Sequence, residues 1–63
     1  MKFRVIRKDK ENVDVFIMYD RNTGKYCFVN ITHPHVCKCR FNTIKEALND
    51  MINNEEVLSF YEL

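Results

Sequence analysis

The sequence predicts a small α+β protein: an antiparallel β-sheet of four to five strands, packed on one face by a single amphipathic helix, in the order β-β-β-β-α with a final β. Up to Phe41, apolar residues alternate with polar ones or cluster in β-branched and aromatic runs, which is typical of strands. From Thr43 to about Asn53, apolar residues recur instead at the spacing of one helical face. We therefore expect one domain over residues 1–63.

Four strands are predicted before the helix. They cover residues 1–5, 13–20, 25–32 and 36–41. A polar run separates the first two, Gly24 suits a turn with positive φ between the next two, and Pro34 cannot donate to a ladder before the fourth. The segment Val57–Tyr61 fits either a short last strand or a second short helix, and we favour the strand.

The helix has a marked start and one apolar face. Thr43 and Glu46 form the Thr-x-x-Glu pattern of a capping box. The stripe comprises Ile44, Ala47, Leu48, Met51 and Ile52. Because no other element is available to cover the sheet, we expect all five side chains to be buried against it.

Counting the loops assigns side chains to the two faces of the sheet. Four-residue loops at 21–24 and 32–35 pair Asp20 with Lys25 and Ile31 with Val36. The predicted core face then carries Val15, Ile17, Tyr19, Tyr26, Phe28, Cys37, Cys39 and Phe41. The other face carries Phe16, Met18, Cys27, Val29, Ile31 and Val36 among charged residues.

We expect the second face of the sheet to be a contact surface for a partner. One helix covers one face, and exposed apolar patches beyond a few hundred Å² usually have a partner. The residues expected to bind that partner are Phe16, Met18, Val29, Ile31, Lys38 and Arg40.

Charge is unevenly placed along the chain. The net charge is only +1, but residues 1–10 have a balance of +4 and residues 46–63 a balance of −5. We therefore expect a basic side and an acidic side.

Dedicated nucleic-acid binders usually have a stronger basic excess. Nucleic-acid binding stays the alternative function, with Phe16, Tyr26 or Phe28 stacking on bases while Lys2, Arg4, Lys38 and Arg40 meet phosphates.

The three cysteines predict free thiols. Cys37 and Cys39 would lie about 6.6 Å apart along an extended strand, so we expect no bond between them. Together with Cys27, His33 and His35 they have the ligand types of a zinc site. Their spacing differs from the Cys-x2-4-Cys knuckle of structural zinc sites, so zinc is a weak alternative and no metal or cofactor is expected.

Catalysis is not expected either. A Cys–His nucleophile pair would need an oxyanion hole, and the chain has no glycine-rich elbow or phosphate loop to build one. A chain of 63 residues also has little volume for a substrate cleft.

The segment Phe41 to Leu48 is similar to the strand-to-helix junction of HicB-type antitoxins and of small phage proteins that bind host RNA polymerase. No catalytic or binding residue transfers with this resemblance.

The expected function is a non-enzymatic protein-binding module, such as a phage or mobile-element accessory that inhibits a larger host protein, for example a defence nuclease or a polymerase. A homodimer is a further alternative for the apolar face. The alternating start of the chain does not resemble a signal peptide and no apolar run reaches ~20 residues, so a cytoplasmic location without membrane contact is expected.

Overall fold

The computed structural model describes all 63 residues and contains five strands and one helix. In chain order they are β1 (Lys2–Arg7), β2 (Val13–Asp20), β3 (Lys25–Asn30), β4 (His35–Val36), α1 (Ile44–Asn53) and β5 (Val57–Glu62). The α+β prediction is confirmed, and the segment that fitted strand or helix is a strand. No helix of the structure has the length and apolar character needed to span a membrane.

The strands form one antiparallel sheet in the order β4-β3-β2-β1-β5. The last strand therefore pairs with the first, on the edge opposite to β4. The helix lies between β4 and β5 in the chain and contacts β3 and β5, so it carries the chain across one face of the sheet.

The β2–β3 hairpin has the predicted register, with Asp20 opposite Lys25 and Ile17 opposite Phe28. Gly24 takes a positive φ of 68° in the turn, and its N–H donates to the carbonyl oxygen of Asp20 at 2.8 Å. The expected pattern of faces therefore holds over these two strands.

The fourth strand is where the sequence prediction is wrong. Only His35 and Val36 form a strand, and Val36 lies opposite Val29 instead of Ile31. Pairing returns only at the Tyr26–Phe41 bridge, which was predicted. Phe41 is five residues after Val36, whereas its partner Tyr26 is only three residues before Val29. The segment between Val36 and Phe41 therefore contains two extra residues, which form a bulge. A slip of two residues keeps each side chain on its predicted face, since the strand period is two.

The helix starts as predicted. Thr43 is the N-cap, and its Oγ1 accepts a hydrogen bond from the backbone N–H of Glu46 at 3.1 Å. The carboxylate of Glu46 accepts in turn from the N–H of Asn42 at 2.7 Å, one residue earlier than in a standard capping box. One free N–H of the first turn, that of Glu46, is thereby satisfied by a side chain, and so is the N–H of Asn42 just before the cap.

The buried core is small and lies between the helix and the middle of the sheet. It consists of Phe3, Val5, Val13, Ile17, Ala47 and Met51. Ile44 and Leu48 are half-buried, but Ile52 is 63% exposed, so the prediction that all five stripe residues are buried is wrong. The sheet meets the helix on the side of Ala47 and Met51, and at 100° per residue Ile52 points about 120° away from that side.

The two oppositely charged ends of the chain are neighbours. β1 pairs with β5, the Nζ of Lys10 lies 2.9 Å from the carboxylate of Glu56, and the N–H of Lys8 donates to the carbonyl of Glu56 at 2.8 Å. The expectation of separate basic and acidic sides is wrong for these segments, because the sheet order places the ends together.

Replacing Met51 with alanine should lower the free energy of unfolding by about 2–3 kcal/mol, since it opens a cavity under the helix. Ile52→Ala in the same helix turn is the matched control and should change it by less than about 0.5 kcal/mol, because that side chain is exposed. Urea unfolding followed by circular dichroism measures both. Equal losses in the two variants would contradict the described packing of the helix.

Candidate functional site

The sheet face away from the helix carries a row of apolar side chains. Phe16 lies opposite Val29, and Val29 lies opposite Val36, across three neighbouring strands. Phe16 is 39% and Val36 48% exposed, while Val29 is half-buried. Met18 is half-buried in the next row, and Ile31, just after β3, is 43% exposed. We call this surface the open face.

The structure places the predicted partner-binding residues in two groups. Phe16, Met18 and Val29 share the open face by register, with Ile31 at the end of β3. Lys38 is exposed in the bulge between Val36 and Phe41, and Arg40 is half-buried there. The sequence thus located the apolar part of the surface, but the two basic residues lie at its edge on irregular backbone.

Arg40 is engaged in holding that backbone. Its Nη1 donates to the carbonyl oxygens of Cys37 and Cys39, both at 2.8 Å. Its Nε donates to the carboxylate of Asp20 at 3.1 Å. The guanidinium therefore ties the bulge to the β2–β3 turn, which was not anticipated for a residue predicted to contact a partner.

Two carboxylates on the open face are held in their charged form. The N–H of Asn22 donates to Asp20 at 2.9 Å and lowers the pKa of that carboxyl, with further lowering from Thr23 and Arg40. The guanidinium of Arg4 donates to both oxygens of Asp14, at 2.9 and 3.2 Å. That pairing lowers the pKa of Asp14 and raises the pKa of Arg4.

The aromatic residues predicted to stack on bases are divided between the two faces. Phe16 is on the open face with Lys2 and Arg4. Tyr26 and Phe28 are on the helix side, where Phe28 packs edge-on against Phe41 at a ring distance of 5.5 Å. The three aromatic residues do not form one stacking platform.

The helix side contains a cleft that sequence reasoning missed. It has a volume of about 350 Å³ and lies beside the second half of the helix. Its apolar walls include Val13, Val15, Phe28 and Met51, and its polar rim is formed by Arg7, Asn30, Asp50 and Asn54. The predicted length of the helix could have indicated this cleft, because so short a helix cannot cover the whole face of the sheet.

Cys37 and Cys39 also line this cleft, and the structure joins them in a disulfide. The prediction that they cannot bridge is therefore wrong. It assumed an extended strand, whereas the strand ends at Val36, the chain bends at Lys38, and the two Cα atoms lie 5.4 Å apart. The backbone N–H of Cys39 donates to the Sγ of Cys37 at 3.3 Å.

The residues of the weak zinc alternative are dispersed. Cys27 lies in β3 with its side chain on the same side of the sheet as Met18, and it is fully buried. His35 is exposed at the start of β4. His33 lies against the carboxylate of Glu11. No group of three or more His, Cys, Asp or Glu side chains converges anywhere in the molecule.

Two surfaces are thus able to receive another molecule: the open face and the cleft lined by the disulfide. No protein-family model, curated protein or solved structure matches the chain. The chemistry of these two surfaces is therefore what indicates a function.

Replacing Asp20 with asparagine should lower the melting temperature at pH 7. The carboxyl has a lower pKa in the folded than in the unfolded chain, so its contribution to stability is present above its ordinary pKa of 3.8 and is lost as pH falls through the folded value. The difference between the variant and the parent protein should therefore shrink between pH 4 and pH 2. Thermal melts across that range measure it.

The control for this experiment is Asp9→Asn, in the exposed β1–β2 turn, where asparagine tolerates the positive φ of 55°. We expect it to leave the melting temperature nearly unchanged at pH 7. An Asp20→Asn deficit that stays constant down to pH 2 would show that its cause is not the carboxylate charge.

Proposed function

We propose that this chain is a non-enzymatic protein-binding module whose open face docks on a larger protein. The observation that carries the proposal is the row Phe16–Val29–Val36, which lies on a sheet face that no second layer covers. Apolar side chains gathered on one face of a small protein favour burial against another surface. The helix side has its own core and does not compete for these residues.

The charges around the row indicate the chemistry of the partner. Asp14 and Asp20 are both neutralised by arginines, through Arg4 and Arg40. Lys2 and Lys25 share the open face by register, are exposed and are absent from the ion pairs of the structure. The open face is therefore apolar with a basic surround, which complements an apolar partner surface with an acidic rim.

Binding of this kind would act by occupation. A small module that covers an acidic contact surface of a larger protein blocks whatever that surface normally binds. We propose this as the role of the chain, in the manner of a phage or mobile-element accessory that inhibits a host enzyme such as a defence nuclease or a polymerase. The proposal rests on the surface chemistry and on the small size of the chain, and it requires no catalytic residue.

The double variant Phe16→Glu, Ile31→Glu should abolish capture of the partner from the native host, because it places acidic groups in the apolar contact. Ile52→Glu is the control: it puts a glutamate on an exposed isoleucine of the helix, away from the open face, and it should retain capture. Affinity purification with quantitative mass spectrometry compares the three proteins, and Lys2→Glu with Lys25→Glu should weaken capture as well. Circular dichroism verifies that each variant is folded, with the single variant Phe16→Ser as the milder substitute.

Equal capture by the open-face and helix variants would contradict the proposal. Sedimentation of the parent protein up to high micromolar concentration tests the homodimer alternative, in which the open face pairs with itself. A gel shift with mixed DNA and RNA at about 50 mM salt tests the nucleic-acid alternative. Either a dimer disrupted by the open-face variant or a shift that depends on Lys2 would replace the protein partner proposed here.

A further inference from the structure

The bond between Cys37 and Cys39 encloses a single residue, Lys38. Both cysteines are half-buried and line the cleft, so their sulfur atoms are within reach of a small molecule or a peptide that enters it. Cys27 is fully buried on the other side of the sheet and does not belong to this pair. The pair is therefore accessible and isolated from the third thiol.

The surroundings distinguish the two sulfur atoms. The N–H of Cys39 points at the Sγ of Cys37 at 3.3 Å, and a backbone donor at that distance stabilises a thiolate. Arg40 fixes the carbonyl groups of both cysteines, so the bulge keeps this geometry. Lys38 and Arg40 add positive charge to the segment, although Asp20 offsets that of Arg40. Reactive cysteines are found in such electropositive, partly exposed places.

We infer that Cys37 and Cys39 form a redox-active Cys-x-Cys site that exchanges with external thiols, with Cys37 as the thiolate that leaves and attacks. In the reductive direction an external thiolate attacks the Sγ of Cys39, a mixed disulfide forms there, and Cys37 departs as a thiolate held by the N–H of Cys39. A second external thiol then attacks the sulfur of the bound thiol and releases Cys39. Two thiols and one protein disulfide give one external disulfide and one protein dithiol, a transfer of two electrons and two protons.

The cleft indicates which thiols react best. Its walls beside the disulfide are apolar, and about 350 Å³ is enough for one or two large side chains. A cysteine flanked by leucines in a peptide places apolar groups in this space while its sulfur reaches Cys39. The substrate class is therefore a peptide or protein thiol with apolar neighbours.

The test uses the full chain with Cys27→Ala, a substitution that leaves the pair as the only cysteines. The protein is equilibrated in mixtures of reduced and oxidised glutathione and then alkylated, and the mass of the intact protein is measured by mass spectrometry. We expect only two states, unmodified disulfide and doubly alkylated dithiol, interconverting within the glutathione range. In the reduced protein, Cys37 should be alkylated at pH 7 about tenfold faster than Cys39, because only its sulfur receives the N–H.

Two further comparisons use matched variants and peptides. With Cys27→Ala kept, Cys39→Ser should leave a fast-reacting Cys37 and Cys37→Ser a slow-reacting Cys39. The peptide Leu-Cys-Leu should reduce the disulfide about tenfold faster than Gly-Cys-Gly, since its side chains enter the cleft. The inference is overturned if the two cysteines take up glutathione separately without forming a bond to each other, or if they are alkylated at equal rates. Equal rates for the two peptides would overturn the assigned substrate class.

Discussion

A single ten-residue helix has to cover one face of a five-stranded sheet, and the rest of the molecule follows from that constraint. Such a helix is about 15 Å long. Five strands spaced about 4.8 Å apart span roughly 19 Å between the outer two, and each strand extends further along its own axis. The helix therefore covers the middle of the face, over Phe3, Val5 and Ile17, and leaves a cleft beside its second half. No helix or second sheet packs on the opposite face.

The bulge between Val36 and Phe41 connects the two uncovered surfaces. Arg40 reaches Asp20 at the edge of the open face and, with the same guanidinium, the carbonyl groups at the edge of the cleft. Lys38, one of the basic residues predicted to meet a partner, is the residue that the disulfide ring encloses. The same short segment therefore borders both the cleft and the open face.

The regular parts of the fold could be predicted because their signals are local. A run of β-branched and aromatic residues located β2, the Thr43–Glu46 cap located the start of the helix, and a four-residue turn located the β2–β3 register. Even the two-residue slip at Val36 left the faces correct, since it is an even number of residues.

The bulge could not be predicted because its cause is not local. Arg40 is held by Asp20, which lies 20 residues earlier in the chain, and no pattern around Cys37 records that contact. With the strand assumed to be extended, the disulfide was excluded on distance and the cleft was not foreseen. The apolar part of the candidate site was therefore predictable from strand periodicity, whereas the disulfide-lined part depended on a tertiary contact.

The position of the disulfide bears on why the chain has one. A crosslink stabilises a fold mainly by restricting the unfolded chain, and that effect grows with the number of residues it encloses. The Cys37–Cys39 bond encloses one residue, so it restricts the unfolded chain as little as a disulfide between non-adjacent cysteines can. A disulfide that linked Cys27, in the middle of β3, to an element distant in the chain would stabilise the fold more. Stability is therefore a poor explanation for this bond, and its exposure on the wall of a cleft with an N–H aimed at one sulfur favours chemistry instead.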